Sequence, residues 1–388
     1  MSGTELVDLK PLLALLGVAV LLAALPLAWT LRRTRGAPAA RRLRALTVLT
    51  LFLTFDLVLF GAFTRLSDSG LGCPDWPGCY GTASPLHARD DIAMAEAAQP
   101  TGPVTHRKAW IEMIHRYLAM AVGALIVAIT AWSWWLARHA AANKQRASGA
   151  SPWWPTFTLA WVLLQGAFGA WTVTLKLYPA IVTLHLLGGL VLLALLAAQA
   201  WRDAAPVEVS AGLRALVLGT GALAFGQIAL GGWVSTNYAV LACTDFPTCH
   251  GVVWPSMDFA QGFELLRPLG ARADGGYLSF EALTAIHMAH RLGAAVLLMA
   301  IGVLVARLWR HEALRPIARG LVAVLAWQLA TGVGNVVLGW PLAAALGHTG
   351  GAAVLVLLMT ALAVRVRGAA SAPVRATGRA PVLGKAEV

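Results

Sequence analysis

Apolar residues fall along this chain in nine stretches, at 11–31, 43–66, 109–136, 154–176, 179–201, 212–235, 283–308, 316–340 and 343–365. Each is about twenty residues or longer, enough for a helix to cross a bilayer core. The fourth and fifth are separated only by the turn around Tyr178-Pro179, the eighth and ninth by the one around Trp340-Pro341. The pattern predicts an all-α polytopic membrane protein.

The polar stretches set an orientation. Arg32, Arg33, Arg35, Arg41, Arg42 and Arg44 follow the first span, Arg138, Lys144 and Arg146 the third, and Arg307, Arg310, Arg315 and Arg319 flank the loop after the seventh. The tail beyond 365 is basic too. These segments alternate correctly if all face the cytoplasm. The N-terminus and the long loops 67–108 and 236–282 then lie outside. The first span runs into Arg32-Arg33 without a small-residue cleavage site, so it reads as a retained helix.

Composition agrees. Of 388 residues, 58% are hydrophobic and 12% charged, about half the charge of a soluble domain. The net charge of +12 sits in loops between apolar runs, which points to membrane lipid and away from nucleic acid.

Spans two to five and six to nine share landmarks in the same order. Gly61 precedes Cys73 by 12 residues and Gly231 precedes Cys243 by 12. The loops read Cys73-Pro-Asp-Trp-Pro-Gly-Cys79 and Cys243-Thr-Asp-Phe-Pro-Thr-Cys249. Glu112-Met-Ile-His115-Arg116 then answers to His287-Met-Ala-His290-Arg291. Gln165 precedes His185 by 20 residues, as Gln328 precedes His348. The expected architecture is two pseudo-symmetric four-helix bundles related by an axis along the membrane normal, plus an extra N-terminal helix. The divisions are 1–42 for that helix and its basic loop, 43–203 and 204–367 for the bundles, and 368–388 for a basic tail.

His115, His185, His290 and His348 each lie within about two turns of the outer end of a span. Ionisable groups at such depth are costly and usually functional. Two imidazoles facing across a bundle can ligate one heme iron axially. Zinc suits the pattern less, because it takes four ligands. His87, His106, His139, His250 and His311 are placed in loops as solvated side chains; His250, after Cys249, is a minor candidate for a porphyrin edge.

Glu112 lies three residues before His115, on nearly the same helix face, where the second copy has His287. A carboxylate there can accept protons, stabilise a cationic intermediate or orient water; it is equally at home as a solvated residue at a helix start. Arg65, Arg116 and Arg291 lie at the same level. Their guanidinium forks suit heme propionates and also suit lipid phosphates. The four cysteines form two pairs, each expected to close as a disulfide in an oxidising compartment. A structural role is expected for Cys243 and Cys249; for Cys73 and Cys79, structure and redox relay are both open.

Taken together, these residues resemble the heme A synthase family. The features that carry the resemblance are Thr64-Arg65-Leu66 leading to Ser69-Gly70-Leu71, the Cys73–Cys79 loop with Tyr80-Gly81, the Glu112/His115/Arg116 box, His185, the His287/His290/Arg291 box and His348. They span roughly residues 45 to 366; the first span departs from the family's eight-helix pattern. The resemblance implies oxidation of the C8 methyl of heme O to the formyl group of heme A in a cell inner membrane. It implies that His115 and His185 hold heme O or heme A, and that His290 and His348 are the axial ligands of a heme b cofactor. It places Glu112 as the acidic residue beside the substrate heme, and matches the cysteine pairs to a subgroup with disulfides in the outer loops. Heme O synthase or a terminal oxidase is the expected partner; the electron acceptor and the formyl oxygen source are not readable.

Two other classes predict different things. A diheme cytochrome exchanging electrons with a quinone would show the same four histidines, but would not require its halves to differ at Glu112 and His287. A transporter with parallel repeats would carry broken helices and polar groups at mid-membrane, whereas these spans are largely free of mid-span charge.

Overall fold

The computed structural model describes residues 10–142, 151–272 and 274–368. Its long helices are α1 (Lys10–Arg33), α2 (Ala39–Leu66), α4 (His106–Ala142), α5 (Trp153–Thr174), α6 (Pro179–Trp201), α7 (Ala211–Thr236), α9 (Phe280–Leu308), α10 (Arg315–Val337) and α11 (Leu342–Arg365). Two shorter ones, α3 (Arg89–Ala98) and α8 (Phe259–Gly262), lie in the long loops. Among the described residues nine helices are long and apolar enough to cross a membrane, at the nine expected places. The chain is an all-α polytopic membrane protein. α4 starts before and continues past its expected ends, so His106 and His139 are helical rather than in loops; His139 Nδ1 lies 2.9 Å from the Trp135 carbonyl. Lys144, Arg146 and the expected basic tail from 369 onward lie outside the described residues.

Helix starts follow local chemistry. Ser210 and Ser279 cap α7 and α9 by accepting from Leu213 N and Ala282 N at 3.2 Å each, satisfying amides that have no partner within the helix. α6 begins on Pro179, which needs no amide partner in the first turn. Hydroxyls inside α2 bond back one turn, as Thr47 does to the Leu43 carbonyl at 3.0 Å and Thr54 to Thr50 at 2.7 Å. Such internal satisfaction is required where no water is at hand.

The helices pack as two closed rings. In one, α2 meets α4, α4 meets α5, α5 meets α6 and α6 returns to α2; in the other, α7, α9, α10 and α11 close in the same order. The seam between them is made by α6 with α7, and by α11 with α2 and α6. α1 lies outside the first ring against α4 and α2.

Both rings are filled with branched apolar side chains toward their arginine-rich end. Val122, Ile126, Leu193 and Leu196 fill the first; Leu213, Ile301, Leu304, Leu321 and Leu362 fill the second. Between helices in lipid such packing acts through close van der Waals contact. That end is also tied by hydrogen bonds. Arg44 Nε donates to the Ala200 carbonyl at 2.9 Å, joining α2 to α6. A two-stranded parallel sheet pairs β1 (Val207–Val209), just before α7, with β2 (Val366–Gly368), just after α11. Strands this short carry no periodicity, and the sequence offered no sign of them.

Candidate functional site

Toward the cysteine-loop end the aliphatic filling gives way to histidine and glycine. Each candidate histidine rests against a glycine of a neighbouring helix. A Cβ added at Gly61 on α2 would stand 3.0 Å from His115 Cε1, and one at Gly231 on α7 would stand 3.0 Å from His290 Cε1. Gly169 on α5 and Gly332 on α10 would approach His185 and His348 Cε1 to 3.4 and 3.3 Å. Gly61 and Gly231 had shown in the sequence as landmarks. Gly169 and Gly332 had not, although each precedes its histidine by 16 residues.

Two imidazoles on opposite sides of one metal ion, each nitrogen about 2 Å from it, have ring centroids about 6 Å apart. The His290 and His348 centroids are 6.4 Å apart with ring planes at 81°. His115 and His185 lie within electrostatic reach of one another, and the His115 ring stacks on Phe60 at 6.2 Å. None of the four Nε2 atoms makes a hydrogen bond among the described residues. No group of three or more His, Cys, Asp or Glu converges among those residues, and the four ligands zinc usually takes are not gathered. The His290–His348 separation fits an iron held by two imidazoles, and His115 with His185 offers the same donor types in the first ring.

The pairs differ behind the ligand atom. His348 Nδ1 lies 3.0 Å from Thr331 Oγ1, whose own hydroxyl donates to the Trp327 carbonyl at 2.8 Å. Thr331 therefore accepts from Nδ1–H, the tautomer that leaves Nε2 unprotonated for a metal. His290 Nδ1 lies 2.9 Å from Gln227 Nε2, which also donates to the His290 carbonyl at 2.9 Å. In the first ring, His115 and His185 Nδ1 are buried with no hydrogen-bond partner. The landmark spacing accounts for this: Gln227, four before Gly231, corresponds to Leu57, and Thr331, one before Gly332, corresponds to Phe168.

The two cysteine loops sit over this end, and both expected disulfides, Cys73–Cys79 and Cys243–Cys249, are formed. The Asp of each loop folds it. Asp75 accepts from Tyr80 N and Gly81 N at 2.6 and 2.8 Å. Asp245 accepts from the Thr248 hydroxyl at 2.5 Å, and from His250 N and Gly251 N at 2.7 and 3.0 Å. Led by the Thr248 hydroxyl, these donors hold the Asp245 carboxyl down at about 2. The donating amides belong to Tyr80, Gly81, His250 and Gly251, all at positive φ, where glycine is unstrained. His250 is fixed in its loop: its Nε2 lies 2.7 Å from the Ala242 carbonyl and its ring stacks on Phe280.

Arg116 and Arg291 anchor the loops from below. Arg116 donates to the carbonyls of Asp75, Pro77 and Gly78 at 3.0, 3.2 and 2.5 Å. Arg291 donates to those of Asp245 and Thr248 at 2.9 Å each. Sequence reading had not suggested this role. Arg116 also pairs with Glu112, which is only 4% exposed. The other Glu112 oxygen accepts from Cys73 N at 2.8 Å. The carboxylate is thus lodged between the first disulfide loop and α4, one turn from His115. At the corresponding place His287 is buried, with its Nδ1 unpaired.

Arg65 bridges the seam. It donates to the Ser235 carbonyl of α7 at 2.6 Å and stacks over Tyr238 at 4.1 Å. Arg267 was overlooked in the sequence. It is fully buried, donates to Asn237 Oδ1 at 2.5 Å and lies over Trp233.

Sequence comparisons fit this geometry. The profile of the COX15-CtaA family, described as cytochrome oxidase assembly protein, matches residues 44–360. A Shewanella oneidensis protein named heme A synthase is 39% identical over 319 residues, covering 81% of this chain and 93% of its own. Proteins of the same name from Caulobacter vibrioides and Halalkalibacterium halodurans are 29% and 26% identical. Their matches cover 81% and 83% of this chain, and 93% and 95% of their own. The matched region takes in both histidine pairs and both disulfide loops, and leaves out α1. This chain is a member of the cytochrome oxidase assembly protein (COX15-CtaA) family.

Proposed function

We propose that this protein is a heme A synthase, oxidising the C8 methyl of heme O to the formyl group of heme A. Heme O and its product would be held between His115 and His185, and a heme b cofactor between His290 and His348. The observation that carries the reading is the difference behind the two pairs. A resident cofactor calls for a ligand whose Nδ1–H is held by an acceptor, as Thr331 provides for His348. A substrate that must leave as product is better served by ligands without such anchors, as at His115 and His185.

Bound heme b would supply a one-electron redox centre. The chain's own groups do the rest. His115 and His185 orient the substrate, with Gly61 and Gly169 allowing their rings to sit close to the helices. Glu112, near the His115 level, is proposed to accept a proton or to balance positive charge developing at the methyl carbon. Arg65, Arg116 and Arg291 have their guanidinium groups at the level where propionates would end. The Cys73–Cys79 and Cys243–Cys249 rings cover the site. The orientation proposed is cysteine loops and N-terminus outside, arginine-rich loops and C-terminus in the cytoplasm, in the cell inner membrane. Heme O synthase and a terminal oxidase under assembly are the proposed partners.

Extracting pigments from the purified protein and weighing each by mass spectrometry tests the assignment. Heme b together with heme O or heme A is the expected result; heme b alone at two equivalents would make the chain a diheme cytochrome. A second expectation concerns the anchors. Thr331→Val should weaken heme b retention about 10–100-fold, the usual effect of losing a partner behind a ligand, while Thr331→Ser keeps it. Heme b transfer to an excess of apomyoglobin measures this, and an unchanged rate in Thr331→Val would remove the anchoring role.

A further inference from the structure

One charged side chain in the membrane-spanning helices takes no part in the site above. Asp56 lies ten residues before Leu66 on α2, about 15 Å below that helix end at 1.5 Å per residue. That is near the middle of a bilayer core about 30 Å thick, an exception to the absence of mid-span charge read from the sequence. The side chain is exposed and makes no hydrogen bond or ion pair among the described residues. Ionisable groups at that depth are rare and mark ligand or proton sites.

Asp56 opens onto a groove of about 800 Å³ at the seam where α2 faces α10 and α11. It is the sole charged residue among the groove's described lining residues. Phe60 and Trp327 are among its lining residues, and the Trp327 indole packs closely on Gly347 and Gly351 of α11. The Trp327 indole is fixed there by donating to the Gly347 carbonyl at 2.7 Å. His348 follows Gly347 directly, but faces into the ring toward His290. The groove and the second histidine pair therefore adjoin the same turn of α11.

We infer that this groove binds the headgroup of an isoprenoid quinone, with Asp56 as its hydrogen-bonding partner. The chemistry selects this class. A ligand reaching mid-membrane depth must be lipid-soluble, and a lipid or prenyl chain alone offers a carboxyl group nothing to bond. A quinone carbonyl accepts from the carboxylic acid, and a quinol hydroxyl donates to the carboxylate. The aromatic lining, Phe60 and Trp327, offers the ring faces to stack on, and the apolar remainder of the groove suits the tail. Binding stands on this geometry alone; the source of electrons rests on the proposed function. There the oxidation R–CH3 + H2O → R–CHO + 4 e⁻ + 4 H⁺ is balanced by two quinones, each taking two electrons and two protons and leaving as quinol.

The test uses the purified, heme-loaded full chain in lipid nanodiscs, with a photoreactive azido-quinone mapped by peptide mass spectrometry. Label is expected on the α2 and α10 peptides flanking Asp56. Asp56→Leu should reduce it about tenfold or more, the loss of one strong hydrogen bond, and Asp56→Asn by about threefold or less. Heme content should match the unsubstituted protein in both variants. Unlabelled quinone should displace the probe. Labelling elsewhere, equal labelling of Asp56→Leu, or displacement by phospholipid or heme O but not by quinone would overturn the inference. Labelling is read on the protein itself. Asp56-dependent label in a protein that makes no heme A would uphold the quinone site and sink the proposed function.

Discussion

Glu112→Gln is expected to lower formyl formation by about 10²–10⁴-fold, the range for removing a general acid–base group, while both hemes stay bound. The amide keeps the acceptor for Cys73 N and the approximate shape of the side chain. It loses the negative charge and the ability to take a proton. The comparison matters because the carboxylate has a second task visible in the structure, that of holding the first disulfide loop against α4. Glu112→Ala removes both tasks and cannot separate them. Cells expressing each variant, with hemes extracted and the heme A to heme O ratio measured, give the answer. Should Glu112→Gln make heme A within about threefold of the normal rate, against the range expected for general acid–base loss, Glu112 is a loop anchor and its proposed chemical role falls.

Arg116→Ala is expected to be the most destabilising single change at this end of the molecule, by about 3–5 kcal/mol. It strands a buried carboxylate without its cation and releases three loop carbonyls at once. Arg291→Ala releases two carbonyls and leaves no carboxylate behind, since His287 stands where Glu112 does. It should cost less, about 1–3 kcal/mol for the unsatisfied groups. Thermal unfolding in detergent, followed by Soret absorbance and by protease cutting within each loop, would order the two. Equal losses would mean that the ion pair adds nothing to the first loop. The double variant Glu112→Gln/Arg116→Gln should recover part of the loss, because no unpaired charge is then left behind.

Much of this was legible in the chain because bilayer physics writes itself into composition. Runs of apolar residues fixed nine helices to within a few positions, and the four histidines stood out as costly groups at matched depth. What escaped reading depends on contacts between distant residues. Gln227 and Thr331 look like ordinary polar residues in a span until α9 and α11 bring histidines to them. Arg116 and Arg291 were read as reaching toward ligand or lipid; their partners are backbone carbonyls, which leave no mark in a sequence. Asp56 was passed over in the sequence, because its meaning depends on α10 and α11 leaving a groove beside it. β1 and β2 are too short to show any period at all.

The ties at the arginine-rich end set limits on how a flat macrocycle gets in and out. Pairing of β1 with β2 joins the entrance of α7 to the exit of α11, and the bond from Arg44 to Ala200 does the same for α2 and α6. Each ring therefore has two of its four helices tied at the base, α2 to α6 and α7 to α11. Under the proposed function, the untied opposite rim is the easier route for a flat macrocycle. At the first ring, the Cys73–Cys79 loop lies over that rim, held by Glu112 and Arg116.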